Sequence, residues 1–446
     1  MQNLVCTLQG YKIQSQRFNK KFVDHLEFLQ KSEWWSKTEI DNYQNEKLFN
    51  LMAHVYNNVP YYKKIMDGAR LKPSDFKNVD DLKKMPFLKK EDVRNHRDQF
   101  IAENCKRNEL VFAHTSGTTG SSLQFFVSKK QIPFQWAVWW RHRMRFGILP
   151  GTLHANFTGK LVIPVKQKRP PYWRWNRPIN QALLTMQHIE PGKIKFIMDF
   201  LNEHQFEYYS GYPSIIHMLC NCALDHNIIL QNKPKFIFPG AENVLDYQKR
   251  EIVQVTGATI TDQYGFSEGC GNASHCTEFN YHEDFEFGIM EFIEEENLGD
   301  GLKRGKVVCT GFACPEFPFV RYVVGDSVVW EENATCACGR KSKIIKSIEG
   351  RIDDFVLTPE GRKIMRFDYI FKDTFTIKEA QIIQNEHGKI IIRIVKRPEF
   401  DSRTELQIKK DISTWISKTL KVEFEYVNEI ERSKNGKFRA VLSKLK

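Results

Sequence analysis

The feature that most constrains this chain is one loop. Thr115, Ser116, Gly117, Thr118, Thr119 and Gly120 form a run of hydroxyls and glycines between two apolar stretches, 110–112 and 123–127. Two strands joined by such a loop make a hairpin that can close around an anion. Gly117 and Gly120 allow backbone angles that a Cβ forbids. Amides can then turn inward, and the Thr and Ser hydroxyls add short, adjustable donors. Such a loop grips a polyphosphate with little fixed charge. It is not a Walker A loop, because no Gly-Lys-Ser/Thr follows and no helix signal starts there. Runs of this composition are also ordinary turns, so the loop alone assigns no function.

The chain has 446 residues, enough for a large core and more than one domain. Apolar residues at 41% and charged residues at 27% exclude a disordered or fibrous chain. No apolar run approaches the roughly 20 residues that span a bilayer. The first residues lack the basic-then-apolar pattern of a secretory leader, which places the expected location in the cytoplasm. The net charge of +12 suits anionic small molecules. Lys and Arg are spread along the chain among acidic residues, so no nucleic-acid footprint is expected. Ten cysteines in a long chain without an export signal do not read as a disulfide framework. Cys6, Cys105, Cys220, Cys222, Cys309 and Cys314 are expected to be buried thiols.

The patterning predicts an α/β fold. Residues 1–100 form a mostly helical lead-in, with Leu48, Leu51, Met52 and Val55 on one helix face, and Val59-Pro60 ending that helix. Short apolar runs at 161–165, 206–209, 235–238, 258–263 and 305–309 predict strands, and 193–201 and 215–226 predict crossover helices. A boundary is expected at 350–354, with domains over 1–350 and 351–446. The second is a small α+β unit with strands near 355–357, 380–383, 390–395 and 422–427 and a helix over 404–420.

Four further motifs follow the loop: Tyr264-Gly265-Phe266-Ser267-Glu268, Arg321-Tyr322-Val323-Val324-Gly325-Asp326, Gly350-Arg351-Ile352-Asp353-Asp354, and Asn435-Gly436-Lys437. The ordered set resembles the adenylate-forming ligases, which include acyl-CoA synthetases, luciferases and peptide-synthetase adenylation domains. Within them it is most similar to the phenylacetate–CoA ligase branch and its CapK-type relatives in capsular polysaccharide biosynthesis. The resemblance runs from about residue 50 to the C-terminus. It implies a large adenylation domain followed by a mobile lid, ATP and Mg²⁺ as cofactors, and CoA as an acceptor.

The resemblance also implies roles. Thr115 to Gly120 would hold the triphosphate; the Lys that many members carry after this loop is replaced by Ser121, Ser122 and Leu123. Glu268 would ligate magnesium, a hard cation that takes oxygen ligands. Ser267 would lie near the α-phosphate or the bound carboxylate. Tyr264, beside Gly265, would stack on adenine, and the small turn Gly240-Ala241-Glu242 would let backbone approach the base. Asp326 would accept both ribose hydroxyls, and Arg351 would touch ribose or phosphate. Lys437 would be the catalytic cation, bridging carboxylate and α-phosphate as charge builds. Asp353 would be the hinge. Gly211, Tyr212 and Pro213 would line the acyl pocket.

Cys276, His282, Cys336 and Cys338 form a separate set. Three thiolates and an imidazole suit one tetrahedral, structural Zn²⁺, with Cys270 and His275 as spare ligands. The aromatic run Phe134, Trp136, Trp139 and Trp140 has helical spacing and reads as core. Tyr172, Trp173, Arg174 and Trp175 can either hold a sugar or aromatic acid or simply pack. Three functions remain open at this level. One is acid activation followed by transfer to CoA. The second is activation followed by transfer to an amine or hydroxyl of a polysaccharide precursor. The third is a zinc-stabilised binding protein without catalysis. Neither the acid nor the oligomeric state is legible.

Overall fold

The computed structural model describes residues 2–115, 123–351, 355–361, 363–364, 368–371, 376–433 and 437–445. The lead-in comprises α1 (Gln2–Arg17), α2 (Lys20–Ser32), α3 (Lys37–Asn58), α4 (Pro60–Gly68) and α5 (Lys90–His96). Ser36 caps α3 through a capping box with Glu39. Val59 and Pro60 end α3 as expected, and Pro60 then opens α4 at N1, where its missing N–H costs nothing. Leu48, Leu51, Met52 and Val55 are buried against strands that come much later, at Ile289, Val307 and Tyr322. Strands β1 (Leu110–His114) and β2 (Gln124–Ser128) form the expected antiparallel hairpin, followed by α6 (Gln131–Arg145).

A six-stranded sheet comes next: β3 (His154–Thr158), β4 (Trp173–Asn176), β5 (Gln181–Thr185), β6 (Tyr208–Gly211), β7 (Phe236–Pro239) and β8 (Thr259–Ile260), in the order β4-β5-β3-β6-β7-β8. All neighbours pair in parallel except β4, an antiparallel edge. Parallel pairing needs crossovers, supplied by α7 (Pro191–Glu203), α8 (Pro213–Asp225) and α9 (Asp246–Thr256). The strand expected at 161–165 is absent. Leu161 and Val165 are exposed, and the strand instead occupies His154–Thr158, whose mixed composition hid it.

The third layer is an antiparallel seven-stranded sheet of β9 (Gln263–Gly265), β10 (Asn272–His275), β11 (Tyr281–Glu283), β12 (Gly288–Gly299), β13 (Leu302–Gly311), β14 (Tyr322–Glu331) and β15 (Ile344–Arg351). A small hairpin, β16 (Val356–Leu357) with β17 (Lys363–Ile364), leads into the last sheet: β18 (Ile377–Glu386), β19 (Lys389–Lys396), β20 (Lys421–Tyr426) and β21 (Val441–Ser443). Between β19 and β20, α10 (Ser402–Asp411) stops short of the expected 404–420. A π-helical segment at Ile412–Ile416 continues it, and Ser417 and Thr419 then donate to Glu360. The C-terminal core includes Tyr247 of α9, so the last sheet packs on the body of the protein.

A charged cluster ties α2 and α6 to the seven-stranded sheet. Arg141 donates to Glu286 Oε1 at 2.6 Å, Asp284 Oδ1 at 2.7 Å and the Leu29 carbonyl at 2.9 Å, all buried. Arg145 and Arg340 flank Glu33 and Asp284. Opposing charges alternate there, which is what allows ions to remain under the surface. Four of the six thiols expected to be buried are so, but Cys6 and Cys105 are half-exposed. Tyr172 and Arg174 are buried, and the Trp173 ring stacks on Phe200 at 3.9 Å, so that cluster packs. Among the described residues no helix is long and apolar enough to cross a membrane.

Candidate active site

One cavity of about 980 Å³ opens between the parallel sheet, the seven-stranded sheet and the C-terminal unit. Parallel sheets bind ligands beyond the carboxyl ends of their strands. Here Ser210 and Gly211 end β6, and Pro239 ends β7 just before Gly240; all four line the cavity. Gly211 has φ +123° and sits against the Phe157 backbone, so a side chain there has no room. Thr115, Gly240, Ala241, Glu242, Tyr264, Gly265, Ser267, Glu268, Asp326 and Lys437 line the same space. Residues far apart in the chain thus converge.

The expected phosphate loop is closed at its base: Thr115 N donates to Leu123 O and Leu123 N to Thr115 Oγ1, each at 2.9 Å. Ser116, Gly117, Thr118, Thr119 and Gly120 lie outside the described residues. So does Asp353. Arg351 closes β15 opposite Asp326, with its backbone alone described.

Glu268 and Asp326 are each oriented by a tyrosine. Tyr322 donates to Glu268 Oε1 at 2.8 Å, and Tyr264 donates to Asp326 Oδ2 at 2.7 Å. Glu268 is only 4% exposed, and its second oxygen accepts no hydrogen bond among the described residues. That leaves a carboxylate oxygen facing the cavity for a cation. Ala241 adopts φ +66°, a left-handed backbone that strains an alanine and marks a shaped turn. Glu242 does something the sequence did not show. It accepts from Ser214 N at 3.2 Å and from Phe438 N at 2.7 Å, so it anchors the segment carrying Lys437 to the start of α8. Burial pushes its carboxyl above the usual range, against the hydrogen bonds that hold it down. The Lys437 amide donates to Ser433 Oγ and its carbonyl accepts from Ser433 N, each at 3.0 Å. Of the expected acyl-pocket residues, Gly211 lines the cavity. Tyr212 and Pro213 do not: Tyr212 packs on the core between the parallel sheet and its crossover helices, and Pro213 begins α8.

The aromatic run is only partly core. Trp140 is buried, but Trp136 and Trp139 are half-buried and line the cavity with Arg143. Their spacing along α6, with Arg143 one turn beyond Trp139, was the available signal. Arg17, Asn156 and His154 also face the cavity and were not anticipated.

His154 stacks flat on Tyr208 at 4.5 Å, and burial lowers its pKa to about 4. Below about pH 6.5 the unfolded chain takes up a proton that folded His154 refuses until about 4. This group therefore lowers stability as pH falls across that window, by about 3 kcal/mol at most. Asp262 opposes it: burial raises its carboxyl to about 6, so its contribution falls as pH rises from the usual carboxylate value to about 6. Urea denaturation at pH 7 and pH 4.5 should show His154→Gln losing roughly 2 kcal/mol less than the parent. Equal losses would contradict this assignment.

The cysteine set also converges. The β10–β11 hairpin carries Cys276 and His282; the turn between β14 and β15 carries Cys336 and Cys338; β11 pairs with β15. One ligand atom from each lies within 4.8 Å of all the others. Cys276 Sγ and Cys336 Sγ are 3.7 Å apart, and Cys338 Sγ and His282 Nε2 are 3.4 Å apart. Zinc–sulfur bonds of about 2.3 Å in a tetrahedron give sulfur–sulfur edges of about 3.8 Å. The donor set and its spacing fit that ion. Burial, then Arg340 and Arg145, lower the His282 pKa to about 3, which keeps the ring neutral. Cys270 and His275 are outside the group: Cys270 faces Cys309, and His275 Nδ1 accepts from Asp262 N at 2.9 Å.

The CapK C-terminal domain family matches residues 356–444. Protein CapK of Staphylococcus aureus is 27% identical over 449 aligned residues, covering 100% of this chain and 97% of that protein. A phenylacetate-coenzyme A ligase of Thermus thermophilus is 24% identical over 437 residues, covering 90% of this chain and 95% of that enzyme. Along its length the chain is similar to CapK and to phenylacetate-coenzyme A ligases. In three dimensions it matches a crystal structure of 2-hydroxyisobutyryl-CoA ligase in the postadenylation state in complex with R3-HIB-AMP. The TM-score is 0.72 at 18% identity, covering 93% of this chain and 92% of that one. The chain therefore has the fold of the adenylate-forming CoA ligases, with a large α/β body and a C-terminal domain.

Proposed function

We propose that the protein is an AMP-forming ligase that activates a carboxylic acid and passes its acyl group to CoA. The observation that carries this reading is the meeting of Glu268, Asp326 and Lys437 in one cavity. In the first half-reaction a carboxylate oxygen attacks the α-phosphorus of ATP. The new bond is acyl O–P, the bond to the β-phosphate breaks, and pyrophosphate leaves. Lys437 neutralises charge between carboxylate and α-phosphate. Asp326 accepts the ribose hydroxyls, Tyr264 and the Gly240-Ala241-Glu242 turn flank the adenine, and Thr115 with residues 116–120 holds the triphosphate. Glu268 would hold Mg²⁺, which would supply charge neutralisation at the phosphates. In the second half-reaction the acceptor thiol attacks the acyl carbon and AMP leaves. The C-terminal unit, 351–446, acts as a lid turning about Asp353.

A second reading changes only the acceptor, to an amine or hydroxyl on a polysaccharide precursor. The full-length similarity to CapK favours keeping it. A ligand set of Cys276, His282, Cys336 and Cys338 around structural zinc accompanies either reading, because four protein donors leave no open position.

Calorimetry tests the nucleotide site. Asp326→Ala should weaken ATP binding by about 1.5–3 kcal/mol, the range for hydrogen bonds to a charged group. Tyr264→Phe removes only the hydroxyl that orients this carboxylate and should cost less. Unchanged ATP affinity in Asp326→Ala would remove the ribose role.

A further inference from the structure

The wall of the cavity formed by α6 carries a chemistry that ATP does not explain. Trp136, Trp139, Trp140 and Arg143 share one face of the helix, and Arg17 of α1 lies across from it. The Arg17 guanidinium stands 3.9 Å from the centre of the Trp136 ring. Arg143 stands 5.3 Å from Trp140 and 5.4 Å from Phe238.

Neither arginine has an ion-pair partner among the described residues. Arg143 donates once, from Nη1 to the Trp139 carbonyl at 3.2 Å, and its Nε is buried without an acceptor. Arg17 makes no side-chain hydrogen bond among the described residues. The contrast with their neighbours is informative. Arg141 and Arg145 on the same helix, and Arg340 beside them, all face carboxylates. Of the carboxylates that line the cavity, Glu242 is engaged by two amides, Asp262 by Tyr281, Asp326 by Tyr264, Glu349 by Arg304 and Glu91 by Arg94, while Glu268 has one oxygen held by Tyr322; none pairs with Arg17 or Arg143 among the described residues.

Arg17 and Arg143 are partly buried, and drawing a guanidinium out of water without a counter-ion is costly. Burial lowers the pKa of Arg17 to about 10 and that of Arg143 below its ordinary value. Ring stacking and the C-terminal end of α6 offset part of that cost. They leave the remaining N–H donors of two planar forks without protein acceptors among the described residues. Such forks match carboxylate and phosphate oxygens in pairs.

We propose that the acid taken by this cavity carries a second anionic group, a carboxylate or a phosphate, bound by Arg143 and Arg17 against the tryptophan face of α6. This deepens the acid-activation reading and rests on it. The tryptophans contact the carbon skeleton, and the group to be adenylated points to Lys437.

The test is acid-dependent exchange of labelled pyrophosphate into ATP, with adipate against hexanoate and carboxymethylbenzoate against phenylacetate. A phosphonate analogue of each dicarboxylate separates the two anion types. The dianion should exceed its monoanionic partner by roughly 10²-fold in kcat/KM, on the scale of one charged hydrogen-bonding pair. Arg143→Met should cut that ratio at least tenfold, Arg17→Met less, and Arg143→Lys should restore part of it. The exposed Lys195→Ala should leave it unchanged. A purely structural arginine would alter the melting temperature and leave the ratio alone, which overturns the proposal. Preference for the monoanions overturns it while leaving acid activation standing. Absence of exchange with every acid instead removes the activation reading. Calorimetry of carboxymethylbenzoate then decides: binding lost in Arg143→Met supports the anion site, and no binding or unchanged binding overturns it. Loss of CoA binding alone in that variant also overturns it.

Discussion

Lys437→Ala should lower acid-dependent pyrophosphate exchange by roughly 10²- to 10³-fold, the cost of losing one main electrostatic stabiliser of a developing charge. ATP binding and the melting temperature should change little. The reason lies in where the residue sits. Its backbone is fixed by Ser433, and the next amide, of Phe438, is fixed by Glu242. Truncating the side chain leaves both anchors in place. The variant therefore removes the cation without displacing the segment. Lys437→Arg keeps charge but changes its shape and reach, and should recover only part of the rate. Exchange at parental rates in Lys437→Ala would remove this residue from the chemistry.

Cys338→Ser should release bound zinc and lower the melting temperature together. The parent protein should hold close to one zinc per chain after dialysis against metal-free buffer. The set joins the β10–β11 hairpin to the turn after β14, so losing the metal frees two loops of the sheet that also carries Asp326. Structural zinc supplies folding free energy, with about 10–16 kcal/mol in isolated fingers as an upper bound. A loss of roughly 3–5 kcal/mol in a chain of this size corresponds to roughly 3–5 °C. Metal analysis that finds no zinc, with chelator leaving the melting curve unmoved, would end this assignment.

The sequence carried some of this plainly. A glycine and hydroxyl run between apolar stretches predicted the β1–β2 hairpin because turn chemistry is local. The Cys/His set was legible because thiols and an imidazole have few reasons to recur together. The C-terminal strands were legible from dense β-branched runs such as Ile390-Ile391-Ile392. What was hidden depends on long-range partners. The segment His154–Thr158 forms a central parallel strand although its composition is mixed, while the apolar Leu161 and Val165 stay exposed. The Trp136 and Trp139 spacing showed a helix face but not that the face opens on a cavity. The Tyr322–Glu268 and Tyr264–Asp326 bonds join residues 54 and 62 positions apart, and no local pattern encodes them. Glu242 was expected beside adenine, yet both its oxygens are committed to amides that hold α8 and the Lys437 segment. Arg17 and Arg143 stood out only in contrast to Arg141, Arg145 and Arg340, which all face carboxylates.

The most direct test of the central claim is exchange of labelled pyrophosphate into ATP by the purified, zinc-replete protein, screened over carboxylic acids with and without CoA. Acid-dependent exchange in the absence of CoA, requiring magnesium and lost in Lys437→Ala, is the predicted result. Exchange independent of any acid, or none with any acid when ATP is bound at the site of Asp326, would contradict the account.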